Sequence, residues 1–381
     1  MATPLRVVQV STGLETGGAE TMLERLVDHL DAERIESVVV SLTTAGVIGP
    51  RLRERGVEVI ECRAGGLPGP ISLARIRGAL RRVDADVVQT WAIYANVLGG
   101  VGARLAGPAP IAWGVHHAGD DLAAFGRKLV ITQKIERRLS FRLPARIVAC
   151  SQSSARMMEE LHYPGDRVVT IPNGFETERF RPDAEARERT RGELGIRADE
   201  LVVGHVARFH PVKGHAVMAA AAVEVAERLP AARFVLCGAG VDEGEPLLAS
   251  LAARLGDRAL LLGERADMER LYPAFDVCVS SSLTEALPLA VGEAMACAVV
   301  VAATDCGDSA AIVGDTGRIV ATGDAAALAA GIAELLELGP AERARLGEAA
   351  RARISDRYSM AAMAGAYSRL WAELDSASRR S

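Results

Sequence analysis

Short runs of β-branched residues alternate along this chain with longer stretches in which apolar residues recur every three or four positions. In the first half the short runs read LRVVQV, SVVVSL, VEVIEC, DVVQTW, PIAWGV and RIVACS, followed by RVVTIPNG. Helical stretches fall between them, among them 19–30 and 125–141. After IPNGFETERFRPD the alternation starts again, with ELVVGHVARF, ARFVLCG, ALLLG, FDVCVSSS, CAVVVAAT and GRIVA as strands. Repeated strand–helix units of this kind predict parallel sheets. Segment 172–183, rich in Pro, Gly and charge and apolar only in patches, fits an inter-domain connection. The expectation is an α/β chain of two Rossmann-like halves in series, whose facing strand ends form a cleft, the usual binding place in such sheets.

The last stretch, YSMAAMAGAYSRLWAELDS, places Met360, Met363, Tyr367, Leu370 and Trp371 on one helical face. That face must be buried, against its own half or back against the first; periodicity alone leaves both open. At 381 residues and 49% hydrophobic composition, each half is long enough to bury a core. A net charge of −5 provides no global basic field for nucleic acid. No apolar run reaches the ~18 residues of a spanning helix, and MATPLRVVQV enters a strand directly, without a basic-then-apolar leader. A cytoplasmic protein is expected. The six cysteines, Cys62, Cys150, Cys237, Cys278, Cys297 and Cys306, form no CxxC pair and read as buried reduced thiols.

Three stretches carry candidate chemistry. In VVQVSTGLETGGAETMLERLV a strand passes through a Gly-rich loop into a helix. Gly17 and Gly18 let the backbone approach a ligand, and the helix directs free N–H groups and its positive dipole end at it. The spacing is not G-x-G-x-x-G. Many such turns are Gly-rich for geometry alone, so phosphate binding and plain turn geometry both stay open. In GHVARFHPVKGHAVMAAA, Arg208 at a strand end and Lys213 in the following loop could clamp a diphosphate, or stand as solvated loop charges. In SSSLTEALPLAVGEAMA, Glu285 precedes a helix for which Pro288 suits the first position, and Glu293 lies inside it. A phosphate at that helix end would leave Glu285 to a sugar and Glu293 to a ribose diol.

Taken together these residues resemble the family-4 retaining glycosyltransferases of the GT-B fold. The likeness runs through TGGAE, ARFHPVKGH, VLCGAG, EALPLAVGEAMA and GDSAAIVGDTGRIV, in the family's order and over nearly the whole chain. It implies that Arg208 and Lys213 hold the donor diphosphate, that Glu285 touches the transferred sugar and that Glu293 touches the nucleotide ribose. Gly17 and Gly18 would sit against the phosphates, and Arg265 where the backbone meets the nucleobase. Gly238, Leu287, Pro288 and Leu289 fall in the matching donor-binding stretches. A family histidine facing the sugar corresponds to His117, with His116 as its alternative, in IAWGVHHAG. The family's last helix crosses back, which implies a first domain of 1–174 plus 358–381 and a second of 175–357.

The implied activity is transfer of a sugar from a nucleoside diphosphate to a hydroxyl acceptor (a lipid-linked glycan, a polysaccharide or a small molecule) with retention, needing no metal and no cofactor. A GT-B nucleotide-sugar epimerase and a non-catalytic sugar-nucleotide-binding protein are the alternatives. Two departures bear on this. Glu285-Ala286-Leu287 stands where the family has Glu-Gly-Phe, and Cys297-Ala298-Val299 where it often has Gly-x-Pro. Segment 126–146 is rich in Lys and Arg with a single Glu. As an amphipathic helix it could meet an anionic membrane or a lipid-linked diphosphate, or present a solvated face.

Overall fold

A computed structural model describes residues 3–64, 69–117 and 127–380, with the side chain of Arg127 excepted. The chain divides into two compact units, 1–174 with 360–381, and 175–359. Every strand expected from the sequence is present, and all are parallel to their neighbours.

The first unit holds seven strands among the described residues: β1 (Leu5–Ser11), β2 (Ile35–Ser41), β3 (Glu58–Glu61), β4 (Val87–Trp91), β5 (Ile111–Val115), β6 (Arg146–Ala149) and β7 (Val168–Thr170). Their order in the sheet is β3-β2-β1-β4-β5-β6-β7. Alternation along a strand feeds two cores: Val7 packs on one face, Val8 and Val10 on the other. The final helix, Met360–Ser378, lies on the Val7 face and buries Met360, Met363, Tyr367, Leu370, Trp371 and Leu374 there. That face also carries Gln9 and Gln89, whose carbonyls would be costly if unmatched. Trp91 Nε1 donates to Gln9 Oε1 at 2.9 Å, and Trp371 Nε1 to Gln89 Oε1 at 3.2 Å.

The second unit holds β8 (Leu201–Val206), β9 (Ala232–Cys237), β10 (Ala259–Leu261), β11 (Val277–Ser280), β12 (Val300–Thr304) and β13 (Arg318–Val320), ordered β10-β9-β8-β11-β12-β13. Both units are Rossmann-like, with the strand order reversing direction between the first and fourth strands of each. Asp276, buried at the start of β11, accepts from the Val202 amide of β8 at 2.8 Å and pairs with Arg187 and Arg191. These bonds tie the entry ends of the two central strands together.

Element ends differ from the sequence reading in small ways. The helix expected over 19–30 spans Gly18–Asp28, and the one expected over 125–141 is seen as Arg127–Ser140, its proposed start lying outside the described residues. The helix after β11 runs Leu289–Ala296, with Pro288 as its cap: ψ of 102° keeps Pro288 extended, one residue short of the first helical position. All six cysteines are free and buried. Ala298 follows this helix with φ of 58°, and its carbonyl is held against Gly347, where a Cβ would stand 2.0 Å away. Alanine in the left-handed region is disfavoured by about 1 kcal/mol or more relative to glycine. Ala298→Gly is therefore expected to raise unfolding stability by about 1 kcal/mol in urea titration, with unchanged denaturant slope; a loss of stability would contradict this reading.

Candidate active site

In the second unit the chain leaves β8 toward β9 and leaves β11 toward β12. The loops at these two carboxyl ends diverge, and a crevice opens where they part. A cavity of about 290 Å³ occupies it. It is lined by His205 and Val206 at the end of β8 with Ala207 just past it, by Ser280 at the end of β11 with Ser282 just past it, and by Lys213, Tyr272, Glu285, Pro288, Leu289, Ala290 and Glu293. The structure thus gathers Lys213, Glu285, Pro288, Leu289 and Glu293 around one space.

Lys213 ends a single turn, Pro211–Lys213, and Gly214 follows with φ of 64°. Only glycine fits there, since a Cβ would lie 1.9 Å from the Ser281 carbonyl oxygen. The Leu283 amide donates to the Val212 carbonyl at 2.7 Å. The turn is thereby pressed onto the end of β11, and Lys213 Nζ donates to Glu285 Oε1. Ser282 Oγ donates to the same carboxylate oxygen at 2.9 Å. The helix Leu289–Ala296 makes its first internal bond from Gly292 to the Pro288 carbonyl. Its leading amides therefore have no acceptor within the helix, and with the dipole they favour an anion. Glu293 lies one turn further in. Tyr272, fully buried, donates its hydroxyl to Glu293 Oε2 at 2.9 Å. Burial first, and the Glu293 charge second, push the Tyr272 phenol well above its ordinary value, so it remains a donor.

Other expected residues lie elsewhere. Arg208 follows Ala207 but is exposed, outside the cavity lining, with no ion pair among the described residues. Leu287 is buried in the hydrophobic core. Gly238, with φ of 151°, would place a Cβ 2.1 Å from the Ala207 carbonyl oxygen, so it lets the loop after β9 close on the end of β8. Arg265 is held by Asp267 through bonds of 2.9 and 2.6 Å, which keep the Asp267 carboxyl below its ordinary range. Ala286 is not in a left-handed conformation. Alanine is accommodated there without backbone strain.

In the first unit Gly17 caps the helix Gly18–Asp28, and the Thr21 amide bonds the Gly17 carbonyl at 2.9 Å. A side chain at Gly18 would meet nothing within 4 Å, whereas at Gly17 it would strike the Glu20 carboxylate. His116 and His117 follow β5. The His116 ring stacks on Trp91 with centroids 4.8 Å apart, and Ser154 Oγ donates to the His117 carbonyl at 2.8 Å. Burial lowers both imidazoles, His116 to about 3 and His117 to about 4, so both are uncharged at neutral pH. Their ring nitrogens have no partner among the described residues.

A network absent from the sequence reading supports this strand end. Asn96 donates to the Gly114 carbonyl at 3.0 Å and to Glu136 Oε1 at 2.6 Å; Tyr163 donates to Glu136 Oε2 at 2.8 Å. Glu136 is the inward anchor of the otherwise basic helix, whose opposite side exposes Ile131, Ile135, Lys128, Lys134 and Arg138. Its partners lie 27 and 40 residues away, and no local pattern announces them.

Comparison with known proteins agrees with this layout. A family model described as "Glycosyltransferase Family 4" matches residues 16–179, and one described as "Glycosyl transferases group 1" matches residues 200–338. The chain belongs to the glycosyltransferases and resembles family 4. EpsF of Bacillus subtilis, named provisionally as a glycosyltransferase, is 29% identical to this glycosyltransferase over 295 residues, covering 76% of this chain and 77% of that one. The Escherichia coli UDP-Gal:alpha-D-GlcNAc-diphosphoundecaprenol alpha-1,3-galactosyltransferase is 30% identical over 233 residues, 58% of each chain. Among solved structures, HepE of Anabaena, in complex with UDP, matches with a TM-score of 0.84 at 21% identity, over 97% of this chain and 100% of that one. This likeness confirms the GT-B fold. No helix among the described residues is long and apolar enough to cross a membrane.

Burial pushes the Glu136 carboxyl of this glycosyltransferase up to about 7. The folded state then keeps a proton that the unfolded chain, near 4.5, has released. Stability contributed through Glu136 is fully present below the unfolded value and declines as pH rises toward 7. Glu136→Gln removes this slope while keeping the hydrogen-bonding shape. In paired urea titrations, the variant is expected to gain relative to the parent between pH 5 and pH 7; an equal difference at both pH values would contradict the assignment.

Proposed function

We propose that this glycosyltransferase moves a sugar from a nucleoside-diphosphate donor to a hydroxyl acceptor with retention of anomeric configuration. The observation carrying the reading is the convergence of Lys213, Glu285 and the start of helix Leu289–Ala296 on one cavity at the strand-order reversal. A diphosphate there would meet one cation and a set of oriented amides, the donors needed where negative charge develops on a leaving group. Lys213 would exchange its bond to Glu285 for a phosphate oxygen. Glu285 would then be released to the sugar hydroxyls, and Glu293, steadied by Tyr272, would take the ribose diol. The names of the Escherichia coli relative and of the Anabaena structure, which mention UDP-Gal and UDP, support a nucleotide donor.

In the reaction, the bond from the anomeric carbon to the β-phosphate oxygen breaks. The acceptor oxygen bonds that carbon on the same face, and its proton passes to the departing diphosphate. Lys213 and the helix end stabilise that diphosphate; no metal or cofactor is assigned to the step. His117, or His116 beside it, is assigned to the sugar as a neutral hydrogen-bonding group, and the Gly17–Gly18 loop to phosphate. Arg208 is assigned to the diphosphate by resemblance, and its exposed side chain would have to turn inward. Arg265 is assigned to the nucleobase end. Gly238 and Leu287 contribute by shaping the backbone around the donor, and Pro288 and Leu289 by presenting the leading amides.

Lys213→Ala is expected to lower turnover by about two to three orders of magnitude with an unchanged fold, measured as acceptor-dependent release of nucleoside diphosphate. Near-normal turnover would remove Lys213 from the account. A panel of nucleoside diphosphates identifies the base: the preferred one, at a hundred times its dissociation constant, stabilises by about 2.7 kcal/mol.

The proposal also places helix Arg127–Ser140 on an anionic membrane surface. Ile131, Ile135 and the adjacent Phe141 are exposed beside Lys128, Lys134, Arg138 and Arg142, a pairing of apolar and cationic groups suited to an interface. Of segment 126–146, only its first residue, Gly126, lies outside the described residues. Sedimentation with vesicles containing anionic phospholipid is expected to carry the protein down, and Ile131→Asp with Ile135→Asp to leave it in solution. Equal sedimentation of both would count against this surface.

A further inference from the structure

His205 is 1% exposed and stands next to the last residue of β8, facing Ser281 just past the end of β11. Its Nε2 lies 3.0 Å from Ser281 Oγ. That hydroxyl in turn donates to the Lys213 carbonyl at 2.9 Å. One hydroxyl hydrogen serves one acceptor, so Ser281 Oγ must accept from His205, which fixes the imidazole with its proton on Nε2. The direction of the chain is therefore His205 to Ser281 to Lys213. His215, at the first position of the helix after the lysine turn, packs edge-on against His205 with centroids 4.8 Å apart. Phe209 closes the other side of His215 at 4.9 Å.

We propose that His205 is a positioning residue, acting through Ser281 to hold the Lys213 turn at the height where its ammonium reaches the donor diphosphate. This rests on the reading of Lys213 given above and adds to it the device that aims the cation. The need for such a device follows from the turn's geometry. Lysine has a long, freely rotating stem, so the direction of its ammonium is set by where its backbone is fastened. The turn is fastened by the Leu283 amide on Val212, by the close approach of Gly214 to Ser281, and by this hydroxyl on Lys213 itself. The third fastening is the one made by side chains. It also spans β8 and β11, the two strands that part at the cavity. Burial depresses the His205 ring to about 3, so the fastening stays uncharged and intact through the physiological range.

His205→Phe keeps a planar ring among the same neighbours and removes the donor; His205→Gln keeps a donor in its place. Ser281→Ala removes both bonds. Initial-rate kinetics with the donor varied, beside nucleoside diphosphate binding and thermal unfolding, separate the outcomes. His205→Phe is expected to lower kcat about tenfold or more, with His205→Gln recovering most of it. The double variant His205→Phe with Ser281→Ala should be no slower than the worse single variant, since both interrupt one chain. Rates within twofold of the parent for both single variants, or losses that multiply in the double variant, would overturn the proposal. If His205→Phe alone fails to fold, Ser281→Ala measured against Lys213→Ala still decides. An active Lys213→Ala protein would overturn the reading of the lysine, whereas an inactive Lys213→Ala with a fully active Ser281→Ala overturns the positioning role alone.

Discussion

The contact between Lys213 and Glu285 is where the second unit's architecture becomes chemistry. Parallel strands must be covered on both faces, so their connections diverge wherever the strand order reverses, and the carboxyl ends of β8 and β11 are left with nothing between them. Two opposite charges meet there, both half-buried. Neither would be held in place by sheet hydrogen bonds alone. Gly214 and Ser281 press the lysine turn down, Ser282 shares the glutamate oxygen, and the helix behind Pro288 adds leading amides that have no acceptor within the helix. The result is a compact set of donors held by strands rather than by a free loop. Such preorganisation is what makes electrostatic catalysis effective, because little has to move as charge develops.

The rest of the unit can be understood as support for that arrangement. Asp276 and its arginines lock β8 to β11 at their entry ends, opposite the cavity. Gly238 allows the β9 loop to close over Ala207, and Tyr272 fixes one oxygen of Glu293. In the first unit the same division recurs. The core is sealed by the final helix and by the Trp91–Gln9 and Trp371–Gln89 bonds, while His116 and His117 emerge at the end of β5, braced by Trp91 and by the Asn96–Glu136–Tyr163 network.

Much of this was legible from the chain. Strands buried on both faces give continuous apolar runs, and each run named in the sequence is a strand of the structure. The apolar face of the final helix was equally plain, because Met360, Met363, Tyr367, Leu370 and Trp371 recur at helical spacing, but periodicity alone left open the half it packs against; the structure places it on the first, with Leu374 added. Helix ends were less so: Pro288 suits either the cap or the first turn by residue type, and only its ψ separates the two. The lysine turn and the paired glutamates were found by their setting after strands. The buried polar framework is not legible in the sequence. Glu136, Tyr272 and His205 bond partners 40, 21 and 76 residues away, and the residues flanking each in sequence give no sign of its partner. Arg208 shows the converse: its position after a strand suggested a role at the cavity, yet its side chain stands in solvent.

The most direct test of the central claim is a crystal structure of the protein with its preferred nucleoside diphosphate bound. The account requires the terminal phosphate within hydrogen-bonding distance of Lys213 Nζ and of the leading amides of helix Leu289–Ala296, with the ribose on Glu293 and the Lys213–Glu285 contact broken. A diphosphate bound away from that helix end, with Lys213 still paired to Glu285, would contradict it.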